Sequence, residues 1–220
     1  IRVVSEIKQF KAYRDISLSI RMESLADFVH YGYTDIGENT IYNDICRFKK
    51  SHYAFINTVD YHGCSIKNGQ ECYYEITQKK IPFDEDSASV RFRELLFDAV
   101  RLRMRADVDF GFAISGGLDS SAILYAARHI IQRGDIKSGL IGFSAIFPGY
   151  EEDESKYVKI MADSLPCKTI YTNPMEEFNI DAFEQHVYYQ DEPLARTSFL
   201  AQWNIYQRVK QFNIKILFNG

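Results

Sequence analysis

The chain has 220 residues, 46% hydrophobic and 25% charged, an ordinary composition for a folded protein and enough length for one large domain or two small ones. Its net charge of −4, with Lys and Arg not gathered on one face, disfavours nucleic acid as a main partner. No apolar run approaches the roughly 18 residues that cross a bilayer, and no signal-like segment opens the chain, so no membrane partner is expected.

The first part, up to about Ile76, is rich in aromatics and short apolar stretches. Val3-Val4 reads as a strand, and Leu25, Phe28 and Val29 suit a short helix ended by Gly32. Residues 53–59 alternate as a strand, 60–63 form a turn, and Asn68-Gly69 is a second turn signal before a strand at 72–76. This predicts a small β-rich piece. Cys46, Cys64, Cys72 and Cys167 show neither a C-x-x-C pair nor zinc spacing with His, which predicts buried structural thiols in a reducing cytoplasm.

From Pro82 the pattern changes. Phe83-Asp84-Glu85-Asp86 gives an acidic start to a long helix, with Phe92, Leu95, Leu96, Ala99 and Leu102 on one face. Strands and helices then alternate: a strand at 110–114, a helix to Arg133 stopped by Gly134, and a strand at 140–147. A helix carrying Tyr157, Ile160, Met161 and Leu165 comes next, then a strand at 168–171, helices around 176–189 and 198–212, and a strand at 214–218. Such alternation predicts the α/β class, a doubly wound parallel sheet covered on both faces. The boundary falls near residues 77–82, giving domains 1–78 and 79–220. A start at Ile1 inside a strand-like stretch and an end just past a strand read as a piece of a longer protein.

The richest segment is Ala113-Ile114-Ser115-Gly116-Gly117-Leu118-Asp119-Ser120-Ser121. A strand that turns through two glycines into a helix leaves backbone N–H groups unpaired at the helix N-terminus. Together with the positive end of the helix dipole, these accept an anion. Glycine lets a phosphate approach the backbone closely, and Ser115, Ser120 and Ser121 add hydroxyls. Asp119 would repel phosphates unless a divalent cation bridged them, the usual arrangement of Mg2+ with a nucleotide. No Lys comes after the glycines, so this is not a Walker-type loop. A tight turn with an N-cap is the plain structural alternative; the density of polar donors after a buried-looking strand favours the anion site.

The string resembles the phosphate-binding loop of the ATP pyrophosphatases, Ser-Gly-Gly-x-Asp-Ser, which activate an oxygen with AMP and release pyrophosphate. Upstream, Val4-Ser5-Glu6-Ile7-Lys8, Tyr31-Gly32-Tyr33, Asn39-Thr40-Ile41-Tyr42 and Ser51-His52-Tyr53 occur in the order found at the close of the glutaminase domain of glutamine-dependent asparagine synthetases. Downstream, Arg105-Ala106-Asp107-Val108, Glu152-Asp153-Glu154, Asp191-Glu192-Pro193 and Leu217-Phe218-Asn219-Gly220 agree with that family. The resemblance covers nearly all of the chain. It implies the closing part of an N-terminal-nucleophile glutaminase domain over 1–78, and the first part of an adenine nucleotide alpha hydrolase-like ATP-pyrophosphatase domain over 79–220.

The activity that the resemblance implies is amidation of a carboxylate through an acyl-adenylate, aspartate to asparagine with ammonia from glutamine, using ATP and Mg2+. By the same resemblance, Asp119 is the expected magnesium ligand. Ser115, Gly116, Gly117 and Ser120 bind phosphate, and Leu118 and Ser121 complete that nucleotide loop. Backbone groups near Ile114 and Ala145 hold the adenosine, Phe143 lies on the same strand, and Asn219 and Gly220 close the pocket. A homodimer is among the assembly states open to such a protein, and the cytoplasm is its expected location.

The family's glutaminase needs an N-terminal cysteine nucleophile, which would lie upstream of Ile1, so this chain as given is expected not to make ammonia from glutamine. Asp109 stands where relatives carry proline, and Lys49-Lys50-Ser51 replaces a Pro-Pro-Gly turn. Tyr188 and Tyr189 read as core aromatics, His52 and His62 as turn or core residues, and His129 as a helix residue among apolar neighbours. The acidic run 151–154 reads as a solvated helix start. The Arg196-Thr197-Ser198 stretch lies in the family's substrate-side loop. Two other readings stay open. One is an amide ligase acting on another carboxylate, of the β-lactam synthetase, lasso-peptide cyclase or polysaccharide-related kind; the other is a non-catalytic nucleotide-binding scaffold.

Overall fold

A computed structural model of the chain describes residues 2–34, 36–56, 69–78, 84–134, 139–151, 153–165, 167–196 and 198–220. The chain divides into two compact units. The first comprises Ile1–Ile81 and Val187–Arg196; the second comprises Pro82–His186 and Thr197–Gly220.

In the first unit a 3-10 helix, Ile7–Ala12, stands close to the expected Val3-Val4 strand, and Val3 itself is exposed and outside any strand. Helix α1, Met22–Tyr31, forms as its apolar spacing predicts and ends at Gly32, whose φ of +72° is the left-handed turn that glycine allows without steric cost. Leu25 and Phe28 are half-buried, whereas Val29 points outward. Strand β1, His52–Tyr53, pairs antiparallel with β2, Glu71–Cys72, and isolated bridges join Ile20 to Tyr42 and Asn39 to Cys46. Strand content among the described residues is thus smaller than the alternating patterns suggest. Over the described residues 53–56 and 72–76 of the two expected strands only Tyr53 and Cys72 are in strands, and residues 57–68, with the turn at 60–63, Asn68, His62 and Cys64, lie outside the described residues.

The order of this unit comes from polar side chains folded onto backbone. The buried Thr40 hydroxyl donates to the Ile45 carbonyl at 2.8 Å and accepts from the Tyr42 N–H at 3.1 Å, pinning the loop around buried Ile41 and Ile45. Lys8 donates from its backbone N–H to Asp191 Oδ1 at 3.2 Å, and its ammonium lies 3.1 Å from Glu6 and 3.3 Å from Asp191. Arg47 pairs with Glu192. These bonds hold Val187–Arg196 in the first unit, although the alternating pattern places that stretch in the second. Tyr188 and Tyr189 are exposed here, with Lys8 over both rings, and are not core residues.

The second unit opens with α2, Glu85–Arg103. Asp84 caps it by accepting from the Ser87 N–H at 3.1 Å, and that hydrogen bonding to Ser87 holds the Asp84 carboxyl below its usual range. The buried stripe is not the expected one. Val100 and Met104 are buried with Leu96 and Phe97 beside them, while Phe92 and Leu95 are 68% and 53% exposed. Helix α2 carries two apolar stripes, and the one that packs is the one that meets helix α3, Leu118–Gln132, where Phe97 lies edge-on to His129 at 5.3 Å.

Strand β3, Phe110–Ala113, leads into α3, which ends near Gly134 at φ +82°. Strand β4, Ile141–Ala145, helix α4, Ser155–Ser164, and strand β5, Lys168–Thr172, come next. The expected helix at 176–189 is two, α5, Pro174–Glu177, and α6, Ile180–Gln190. Helix α7, Ser198–Gln211, then turns into strand β6, Ile216–Phe218. On α4 the buried residues are Val158 and Met161, and Tyr157 and Ile160 are exposed.

Strands β3 to β6 form one parallel sheet in the order β5-β4-β3-β6. One face carries Phe110, Phe112, Ile114 and Phe218 against α2, α3 and α4; the other carries Phe143 and Leu217 against Ile205 and Val209 of α7. Burying a side chain of this size stabilises by roughly 1.5–3 kcal/mol relative to exposure. Two glycines make the faces close. A Cβ on Gly111 would lie 2.8 Å from the Phe143 ring, and one on Gly142 would lie 2.0 Å from Ile114 Cδ1. Glycine in each strand therefore lets the large residue of its neighbour lie flat on the sheet. The α/β class with a doubly wound parallel sheet is what the alternation implied.

Candidate functional site

The strand order creates the site. The chain winds outward from β3 through β4 to β5, then returns to place β6 on the other side of β3. The crevice past the C-terminal ends of β3 and β6 is the switch point where ligands of open parallel sheets bind. Both the Ser-Gly-Gly bend and Asn219-Gly220 come out there.

Ser115 lies just past β3, and its hydroxyl accepts from the Gly117 N–H at 3.3 Å and lies 3.1 Å from the Ser120 hydroxyl. The Ser115 N–H donates to Ser120 Oγ at 3.3 Å. The two serines thus brace the bend from inside. Gly116 takes φ +77°, and a Cβ there would lie 2.8 Å from Tyr157 Cβ and 3.1 Å from the Val158 backbone nitrogen, so glycine is required for both conformation and space. Gly117 is the N-cap residue of α3 and supplies no side-chain cap. Ser121 folds back, donating its hydroxyl to the Gly117 carbonyl at 2.7 Å. Consequently the N–H groups of Gly116, Leu118 and Asp119 have no acceptor among the described residues, at the positive end of a 15-residue helix. Leu118 is 89% exposed and Asp119 is also exposed, so this end faces outward.

Gly220 lies over the same turn. A Cβ on it would come within 2.7 Å of the Ser120 nitrogen and 3.1 Å of Asp119 Cβ. Ile114 contributes its buried side chain to the core and donates its N–H to the Phe143 carbonyl at 2.8 Å, so that N–H is taken and is not a ligand donor. Phe143 likewise turns its ring into the core, edge-on to Phe212 at 5.8 Å.

A cavity of about 410 Å³ opens beside the bend, a volume in the range of small-molecule sites. Ile114, Ser115, Ser120, Ala145, Asn219 and Gly220 all line it. Gly116, Gly117, Leu118, Asp119 and Ser121 form the turn at its edge rather than its lining. The far wall comes from residues that sequence patterning does not reveal: Phe199, Gln202 and Tyr206 of α7, with Phe147 after β4. Gln202 and Tyr206 lie four apart, one helix turn, a spacing that carries no meaning until α7 is seen against the sheet. Ser198 also reaches the lining, whereas Thr197 lies outside the described residues.

The acidic run also has a structural task. Asp153 accepts from the Ser155 hydroxyl at 2.7 Å, the Phe147 N–H at 3.0 Å and the Ser155 N–H at 3.2 Å. Those bonds, the Ser155 hydroxyl first, hold its carboxyl below the usual range and tie down the segment that presents Phe147. It is more than a solvated helix start; Glu152 lies outside the described residues, and Glu154 lines the cavity. Of the cysteines, Cys46 and Cys72 are exposed, which corrects the expectation of buried thiols, while burial pushes the Cys167 thiol up to about 11. His129 lies on the Phe97 ring, and His52 bonds the Lys50 carbonyl at 2.7 Å.

No group of three or more His, Cys, Asp or Glu residues able to hold a metal is present among the described residues. The donor set at the bend still fits a nucleotide-borne Mg2+, which takes one or two carboxylates together with phosphate oxygens rather than an all-protein cage. Asp119, exposed beside the unpartnered N–H groups, is such a carboxylate. Among the described residues no helix is long and apolar enough to cross a membrane.

Fold and site together define a parallel α/β domain with a strand-turn-helix bend at its switch point, where backbone N–H groups lack an acceptor among the described residues. The sequence pattern of the asparagine synthase family matches residues 91–220, and the chain belongs to that family. Relatives include a Methanocaldococcus jannaschii protein named as a putative glutamine-hydrolyzing asparagine synthetase, 27% identical over 66% of this chain and 27% of its own length. The amidase chry2 of Gibberella zeae is 28% identical over 62% of this chain and 22% of its own length. The glutamine-hydrolyzing asparagine synthetase 1 of Bacillus subtilis is 26% identical over 63% and 21%. The chain thus matches about a quarter of the length of these relatives. Among solved structures, an NH3-dependent NAD synthetase from Campylobacter jejuni superposes with a TM-score of 0.40 at 12% identity, over 58% of this chain and 54% of that one.

Proposed function

We propose that the second unit binds ATP and that the protein uses it to convert a carboxylate into an amide, with aspartate as the carboxylate and ammonia, drawn from glutamine, as the nitrogen source. The observation that carries this reading is the braced Ser115–Ser120 bend, with unpartnered N–H groups at Gly116, Leu118 and Asp119, beside a cavity in a chain of the asparagine synthase family. In this reading residues 1–78 are the closing part of a glutaminase domain.

A carboxylate resists attack because addition builds charge on an anion. In the proposed reaction its oxygen attacks the α-phosphorus of ATP, the bond to the β-phosphate oxygen breaks, and pyrophosphate leaves. Ammonia then adds to the acyl carbon, and AMP leaves with the carboxylate oxygen. The chain's part is positional and electrostatic. The Gly116, Leu118 and Asp119 N–H groups are fixed before the charge of the departing pyrophosphate develops, so no reorganisation opposes it. Mg2+ would screen the phosphates, held from the protein side by Asp119. Phe147 and Phe199 give the cavity part of its apolar lining.

The test is pyrophosphate release from MgATP in the presence of ammonia and single carboxylic acids. Release dependent on aspartate, and lost in Asp119→Ala, is the expected result. The match to an amidase favours a second reading, an amide ligase for another acid, and release with a different acid and not with aspartate would establish it. MgATP binding without release under any acid would instead point to a scaffold.

A further inference from the structure

Helix α2 carries two apolar stripes, and the fold uses one of them. Val100 and Met104, with Leu96 and Phe97 beside them, go into the core. On another side of the helix Ala88, Phe92, Leu95, Ala99 and Leu102 follow at steps of four, three, four and three. That is the seam spacing by which two helices pack along their lengths. Phe92, Leu95 and Leu102 are exposed, and the two alanines of the row are half-buried. The row runs about 21 Å along the helix at the ordinary rise per residue. Apolar residues scattered singly over a surface need no explanation, but a continuous row of this length marks a contact face.

The symmetry of the row decides what it fits. Ala88, Phe92, Leu95 and Ala99 run small, large, large, small, with steps of four, three and four, so the order is the same from either end. A two-fold axis between Phe92 and Leu95 would lay Phe92 on Leu95 of a second copy and Ala88 on its Ala99. A patch that matches itself in reverse is what a two-fold dimer needs. The charges along its edge agree. Asp84, Arg91, Asp98 and Arg105 follow at steps of seven, from the N-cap to just past the C-cap, alternating acid and base. Antiparallel helices therefore set Asp84 toward Arg105 and Arg91 toward Asp98, each pair twice under the two-fold. They also set each helix dipole against its opposite. Within one chain Arg91 pairs with Glu94 at 3.0 Å and Arg101 with Asp98 at 2.5 Å. Both are solvent-exposed pairs of the weak kind, able to re-form across an interface. We infer that the exposed row of α2 is the contact face of a homodimer, in which two copies of α2 lie antiparallel about an axis between Phe92 and Leu95. About four turns of one helix against its copy make a small interface, below about 1,200 Å², so the pair should be a weak one that forms in the micromolar range.

Sedimentation velocity on the full 220-residue chain, over about 5–500 µM where mass action brings a weak pair together, tests this. Wild type should pass from monomer to dimer as concentration rises. Leu95→Glu sets like charges beside the axis and should stay monomeric throughout, with its melting temperature kept because the side chain is exposed. Arg91→Asp turns an acid toward Asp98 of the second copy and should weaken dimerisation roughly tenfold or more. Arg91→Asp combined with Asp98→Arg exchanges the two charges and should restore the wild-type dissociation constant, a rescue that follows from the antiparallel arrangement. A wild type that is monomeric at every concentration overturns the inference, and so does a dimer that survives Leu95→Glu. Arg91→Asp dimerising like wild type, or a loss that the charge exchange does not rescue, overturns it as well. Should Leu95→Glu fail to fold, the charge variants at the exposed Arg91 and Asp98 decide the question alone.

Discussion

Phe112 and Phe143, on opposite faces of the parallel sheet, are each 1% exposed, and each is covered by a helix. In the first unit the buried residues among those described are Phe10, Thr40, Ile41 and Ile45. Its loops are held by hydroxyl, amide and ion-pair contacts to backbone and to one another. A two-sided sheet gathers apolar side chains from helices distant in sequence, so its stability is a packing quantity. A loop-rich unit with short strands satisfies its backbone through polar side chains, so its stability is a hydrogen-bond quantity. Changes that remove volume should injure one unit, and changes that remove a hydroxyl the other.

The largest expected effect is Phe112→Ala. Emptying that position should cost about 3–5 kcal/mol, read from denaturant unfolding. Hydrogen exchange should quicken through β3 and α3 while protection around Thr40 is kept; equal loss in both units would break the contrast. Gly116→Ala comes next. It combines a left-handed φ with a Cβ 2.8 Å from Tyr157 Cβ, and roughly 2–4 kcal/mol of stability should go together with MgATP binding. Retained binding at wild-type affinity would show that the bend is not the phosphate site.

Thr40→Val keeps the shape and leaves the Ile45 carbonyl without its donor, for about 1–3 kcal/mol. Exchange should rise across 39–47 and stay unchanged in the sheet. The smallest effect is one of pH. His186 is 6% exposed, stacked on Trp203 at 5.1 Å with Nδ1 unpartnered among the described residues, and burial holds its pKa below the ordinary value. The unfolded ring takes up its proton near pH 6.5, earlier than the folded one as pH falls. The neutral ring's contribution is therefore complete above that pH and lost as pH drops through it toward the lower folded value. Melting temperatures between about pH 8 and pH 5 should fall in wild type and flatten in His186→Gln; parallel curves would remove His186 from the account.

The difference between the units also marks where the chain can be read directly. In the second unit the strand, glycine bend and helix through residues 110–132 are set by local pattern, and so is the place of Ser115 and Ser120 in the bend. In the first unit the pattern overstates the strands across the described residues 53–56 and 72–76, because alternation marks residues able to pair and does not supply a partner. Helix α2 lies where its periodicity places it but is turned differently, since two apolar stripes satisfy the same period and contact with α3 selects between them.

By itself the sequence determined the parallel alternation of the second unit and a glycine bend at a helix start. Hydrogen-bond geometry, glycine's steric freedom and the helix dipole all act within a few residues. Only the tertiary structure decided what faces that helix start. Placing β6 beside β3 sets Gly220 over the first turn of α3, and packing α7 on β4 carries Gln202 and Tyr206 to the cavity beside the bend. Those partners stand far apart along the chain, and close packing rather than local preference chooses which of them meet.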